Sequence, residues 1–82
     1  MLILSQNKKQ ITDNLNIRII PDVVEDKEIS TVSGYSLINE KNIYLGWYGT
    51  EERAKEILKG IVDKYDLLKI VEVSRYYEMP EK

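Results

Sequence analysis

Histidine and cysteine are both absent from the 82 residues, and that absence decides most of the chemistry open to the chain. It removes thiol nucleophiles, the Ser-His-Asp triad, Cys/His zinc sites, disulfide frameworks and the imidazole general base. Acid–base work would fall to carboxylates, lysines and tyrosines. Asp22 pairs on paper with Glu25 or Asp26, but this stretch reads as a charged, solvated loop. Glycosidase-type chemistry needs one carboxylate buried in a cleft, for which so small a domain has little room. The same oxygens could ligate Ca²⁺ or Mg²⁺, yet Asp22-Val-Val-Glu25-Asp26 has neither the EF-hand spacing nor its glycine. The expectation is no catalytic residue, no metal and no cofactor.

The glycines offer little more. Gly34, Gly46, Gly49 and Gly60 form neither a dinucleotide fingerprint nor a phosphate-binding loop. Gly46-Trp47-Tyr48-Gly49-Thr50 does lead into a helix start, where free N–H groups attract anions. Glu51 and Glu52 oppose that, so the segment reads as a strand-to-helix turn. The aromatic set is more informative: Trp47 and six tyrosines (Tyr35, Tyr44, Tyr48, Tyr65, Tyr76 and Tyr77), with no Phe. Every ring carries a polar tip, which suits a surface that is apolar on one side and wet on the other. By strand alternation Trp47 shares a side with Ile43 and Leu45 and is expected in the core. Tyr44 and Tyr48 then fall on the opposite face. Tyr76 and Tyr77 are adjacent, so one of them must leave the core side. The expected partner-contacting residues are Tyr44, Tyr48, Arg75, Tyr76 and Tyr77.

These residues need elements to hold them. Ala54, Ile57, Leu58, Ile61, Val62 and Tyr65 recur at helical spacing between Thr50 and Asp66, with Thr50 as N-cap and Glu51 and Glu52 at the positive end of the dipole. Gly60 falls on the polar side of that pattern. Leu2–Leu4 and Gln10–Thr12 flank a polar turn and predict a hairpin. Leu15, Ile17 and Ile19 alternate with polar or outward residues, up to Pro21, which ends or edges the strand. Asp22–Glu28 reads as an acidic loop. Ile29–Ile38 reads as a strand with a bulge or bend at Gly34, Asn39–Asn42 as a turn, and Ile43–Tyr48 as another strand. Leu68–Met79 is β-rich, with Val71, Val73, Tyr77 and Met79 on one side, and Pro80–Lys82 reads as a frayed end. Strands, then a helix, then a strand predict an α+β fold: a curved, mainly antiparallel β-sheet with one amphipathic α-helix packed across one face.

Length limits this to a single domain over residues 1–82. Folding at this size buries only about 60 to 65% of the unfolded chain's surface, so homo-oligomerisation is expected as a way to bury more. No apolar run approaches the roughly 18 residues that span a bilayer, and polar Ser5–Gln10 follows the apolar start at once. A cytoplasmic chain with no membrane contact is expected. Twelve basic against 14 acidic side chains leave a net charge of -2, which argues against nucleic acid. Lys8-Lys9 with Arg18, Arg53 and Arg75 form at most a local patch.

Three blocks carry a resemblance: Met1–Lys9, Leu45-Gly-Trp-Tyr-Gly-Thr-Glu-Glu-Arg-Ala-Lys-Glu-Ile-Leu58, and Tyr77-Glu-Met-Pro-Glu81. Together they resemble a set of short, uncharacterised proteins of phages, prophages and other mobile elements in low-GC Gram-positive bacteria. Asn14–Lys41 does not match that set closely. The resemblance implies a setting, the bacterial host cell, and no functional residue. In that setting small cofactor-free proteins bind host proteins, some of them as inhibitors of host defence. The expected function is therefore a non-enzymatic interaction module with a host-protein partner. The alternatives are sequestration of a small nucleotide stacked on tyrosine with its phosphates on Arg18, Arg53 or Arg75, and nucleic-acid binding.

Overall fold

The computed structural model describes residues 1–71 and 75–82. The chain runs β1 (Leu2–Leu4), β2 (Ile11–Thr12), β3 (Ile17–Asp26), β4 (Ile29–Asn39), β5 (Tyr44–Tyr48), α1 (Glu51–Leu67) and β6 (Tyr76–Glu78). This is the α+β class the pattern predicts, with the strands divided between two three-stranded sheets. One has the order β3-β4-β5 and is antiparallel throughout. The other has the order β2-β1-β6, with β1 antiparallel to β2 and parallel to β6. Their inner faces meet α1 in one core of Ile3, Leu37, Leu45, Tyr48, Ala54, Ile57, Ile61 and Met79.

The helix forms where the 3.6-residue stripe predicts. Thr50 is extended at φ -128° and its side chain accepts from the Arg53 amide at 3.1 Å, satisfying one of the orphan donors of the first turn. Ala54, Ile57 and Ile61 are buried and Leu58 is half-buried, but Val62 and Tyr65, further along the same stripe, stay exposed. Gly60 is not on the solvent side. It lies under Tyr77, whose hydroxyl would come within 3.2 Å of a Cβ there.

Three expectations about strands and ends are corrected. Asp22–Asp26 is strand rather than loop, and the chain reverses through the two residues Lys27-Glu28, with Asp26 opposite Ile29 and Lys27 at φ 54°. Of the two alternatives for Pro21 the edge one holds: Pro21 sits inside β3, an edge strand, where a missing N–H costs no ladder bond. Leu68–Ile70 continues from the helix as turns, not as strand; Val71 is exposed, and the expectation for Val73 lies outside the described residues. Residues 79–82 are strapped down: the Met79 amide donates to the Leu4 carbonyl at 3.1 Å, and the Arg53 guanidinium donates to the Lys82 carbonyl at 2.9 and 2.7 Å.

Two bulges shape the β3-β4-β5 sheet. In β4, Asp22 faces Gly34 while Val23 faces Val32, which leaves Ser33 as the extra residue beside the predicted Gly34 bend. In β5, Gly46 faces Leu37 while Tyr44 faces Ile38, so Leu45 is the extra residue. A bulge shifts alternation by one. Residues after Leu45 therefore point to the side opposite to that read from simple parity.

Candidate functional site

The β5 bulge sets the site. It turns Trp47 outward and Tyr48 inward, the reverse of the expectation for both. Tyr48 is 2% exposed and its hydroxyl donates to the Pro80 carbonyl at 2.7 Å. Burial, with the neighbouring Tyr77, pushes that hydroxyl up to about 12. Tyr48 is thus a core residue and cannot serve as a surface contact.

The ladder places Trp47 opposite Ser36, Tyr44 opposite Ile38, Ile38 opposite Arg18, and Ser36 opposite Ile20. All share the face turned away from α1, because Leu37, one residue along, is fully buried in the core. Tyr44 and Trp47 are 39% and 40% exposed, while Ile20 and Ile38 are half-buried between strands. The result is an uncovered apolar and aromatic sheet face with Arg18 and Asp22 as its charges. Such a mixture, a few rigid aromatics over aliphatic ground with sparse charge, matches the centre of protein–protein interfaces.

The aromatics of this face are held in place. The Trp47 indole lies over Gly34 so closely that a Cβ there would sit 2.2 Å from its Cζ2. Gly34 therefore serves a close approach, not an unusual φ. The Trp47 amide donates to Gln6 Oε1 at 2.7 Å, and Gln6 Nε2 donates to the Trp47 carbonyl at 3.1 Å and the Glu81 carbonyl at 2.8 Å. Ser36 donates to the Asp22 carboxylate at 2.7 Å. Partial burial, then the Asp22 charge, raise the Tyr44 hydroxyl above its ordinary range, so Tyr44 stays a neutral donor at pH 7.

The other expected contacts lie elsewhere. Arg75 and Tyr76 are exposed at β6, on the second sheet, and Tyr77 is half-buried against Gly60. The five expected residues therefore do not form one patch. Trp47, absent from that set, is the ring the structure joins to Tyr44. The signal for it was Gly46 beside Leu45, since a glycine inside a strand marks a bulge.

Other chemistry is dispersed. Along β3, Asp22 and Asp26 alternate away from Glu25, so the three carboxylates do not converge. Arg53 is engaged with Lys82 and with Glu56 at 3.0 Å, Arg18 lies on the outer face and Arg75 at β6, giving no common phosphate site. Lys8 pairs with Glu78 at 3.3 Å and Glu81 at 3.6 Å; the hydrogen bond and charge of Glu78, then Glu81, hold its ammonium above the ordinary range. Among the described residues no helix is long and apolar enough to cross a membrane. No protein-family model, curated protein or solved structure matches the chain.

Proposed function

We propose that this protein is a non-enzymatic interaction module that binds a host protein through the outer face of the β3-β4-β5 sheet. The observation that carries the reading is a solvent-facing pair, Tyr44 and Trp47, fixed over Ile38, Ser36 and Gly34 on a face that no element of the chain covers among the described residues. Fixed aromatics bind with little loss of rotamer freedom, which is how a small flat surface reaches useful affinity. The resemblance of the N-terminal, helical and C-terminal blocks to phage and prophage proteins supports a host partner, with inhibition of host defence as the outcome. The setting is the cytoplasm of the bacterial host. The thin core supports self-association, so the acting species is a homo-oligomer.

The reading is tested by Tyr44→Ser and Trp47→Ser. Both side chains lie on the outer face and not in the core, so each variant stays folded, Trp47→Ser losing about 1–3 kcal/mol of stability with its packing on Gly34 and Tyr44→Ser less. Each weakens partner binding by at least about tenfold, as expected for central aromatic anchors. The same changes at Leu2 and Tyr76, on the outer side of the other sheet, leave binding unchanged.

A further inference from the structure

Unpaired strand edges recruit other strands, and folded chains guard them by shortness, charge, proline or cover. Nearly every edge here has such a guard. β2 is two residues long. β6 is three residues long, and the Lys64 ammonium donates to its Tyr76 carbonyl. The edge of β5 is covered by Gln6, whose amide donates to the Leu45 carbonyl at 2.7 Å and whose side chain holds both backbone groups of Trp47. β3 carries Pro21, Asp22, Glu25 and Asp26.

The exception is the first half of β4. β5 pairs only with Tyr35–Ile38, so the edge over Ile29–Ser33 has no partner among the described residues. Its sequence, Ile-Ser-Thr-Val-Ser, has no charge and no proline and contains three β-branched residues suited to pairing. It belongs to a two-stranded arm that reaches beyond the rest of the sheet, in a molecule 52 Å long and 23 by 20 Å across. On that arm Ile29 is 69% exposed, and Val23, Val24 and Val32 are exposed as well. A two-stranded ribbon of this kind is marginal in water by itself.

We propose that Ile29–Ser33 of β4 pairs antiparallel with the same segment of a second copy, about a two-fold axis normal to the sheet. This names the surface for the self-association proposed above and rests on it. Two observations favour a second copy over a foreign strand. First, an uncharged strand can lie against itself without like-charge contacts, whereas the acidic β3 edge cannot. Second, the chain supplies a seat for the tip of the arm. Beyond its Ile29, the second copy's turn comes alongside Gly34, just short of Tyr35, whose edge Tyr48 already occupies, and next to an open notch of about 470 Å³ lined by Val32, Tyr35, Gly49, Thr50, Glu51, Glu52 and Lys55. Lys55 pairs with Glu51 at 2.7 Å, and Glu52 leaves the notch an excess negative charge that suits the second copy's Lys27. An axis normal to the sheet puts both outer faces on one side, so the Tyr44–Trp47 surface is doubled in a single plane.

The absence of cysteine makes the test direct. Ser30→Cys, Thr31→Cys and Val32→Cys are made singly, with Val24→Cys on β3 and Lys41→Cys on the β4–β5 turn as controls. Sedimentation of the unmodified chain gives twice the chain mass in the micromolar range. On mild oxidation at least one of the three β4 variants forms an intermolecular disulfide faster than both controls, because paired strands bring facing Cβ atoms to about 4.5–5.5 Å. Val32→Lys raises the dimer dissociation constant at least about tenfold with the circular dichroism unchanged, and Trp47→Ser leaves it unchanged. A monomer throughout that range overturns both the interface and the self-association. A dimer that cross-links fastest through Val24→Cys or Lys41→Cys, or that Trp47→Ser dissociates while Val32→Lys does not, overturns the β4 interface alone.

Discussion

Gly34 and Gly49 make a controlled pair at the residue scale. A methyl group at Gly34 meets the Trp47 indole at 2.2 Å, whereas at Gly49 nothing lies within 4 Å, and neither glycine has a positive φ. Gly34→Ala should cost about 1–3 kcal/mol by overpacking and shift Trp47 emission to the red as the ring is displaced into water. Gly49→Ala should stabilise by roughly 0.4–1 kcal/mol through the unfolded chain's lost freedom. Denaturant titration followed by tryptophan fluorescence reads both. Tyr48 gives a second test. Its folded hydroxyl keeps its proton to about 12 against an ordinary 10.0, so between those values the folded state binds more protons than the unfolded. Stability is then complete below pH 10 and falls as pH rises through about 12. Tyr48→Phe should lose about 1 kcal/mol at neutral pH with its bond to the Pro80 carbonyl, and should flatten that alkaline fall in a pH series of unfolding midpoints.

Among the elements, the helix was legible because capping, charge placement and apolar spacing agree over Thr50–Asp66. The N-terminal hairpin was legible for the same reason: a polar turn between two apolar segments. What failed was parity across the β5 bulge. Nothing in Ile43–Tyr48 except the Leu45-Gly46 step announces an extra residue, and that one residue exchanges the fates of Trp47 and Tyr48. Asp22–Asp26 failed differently. Aspartate and glutamate are depleted in strands, and Lys27-Glu28 lacks the Asn-Gly signature of a tight turn, so an edge strand looked like a loop. Leu68–Val71 is apolar enough to read as strand but continues out of the helix as turns. The turn before β5 depends on Asn39, fully buried, whose Oδ1 accepts from the Lys41 and Ile43 amides at 3.0 Å each and whose Nδ2 donates to Thr12 at 3.1 Å. Asn39→Ala removes all three bonds, the buried one to Thr12 among them, and should cost about 2–3 kcal/mol by urea unfolding. Amide exchange should quicken in β4 and β5 first.

The whole molecule divides into a packed end and a reaching one. The two inner sheet faces and α1 share the core, while the β3–β4 arm extends past it with exposed aliphatic side chains. That division suits a protein that acts by contact: one part holds the fold, the other presents surface. Of the candidate site, Tyr44 was readable from sequence and the pairing of Tyr44 with Trp47 was not, because the pair exists only through strand register. The central claim is that function resides in the outer face of β3-β4-β5. Its most direct test is quantitative mass spectrometry of host proteins captured from one lysate by four immobilised forms: the unmodified chain, Tyr44→Ser/Trp47→Ser, Leu2→Ser/Tyr76→Ser, and a blank support. The account predicts a host protein enriched by the first and third forms and reduced to background with the second. A partner that remains with Tyr44→Ser/Trp47→Ser, or that is lost only with Leu2→Ser/Tyr76→Ser, contradicts it.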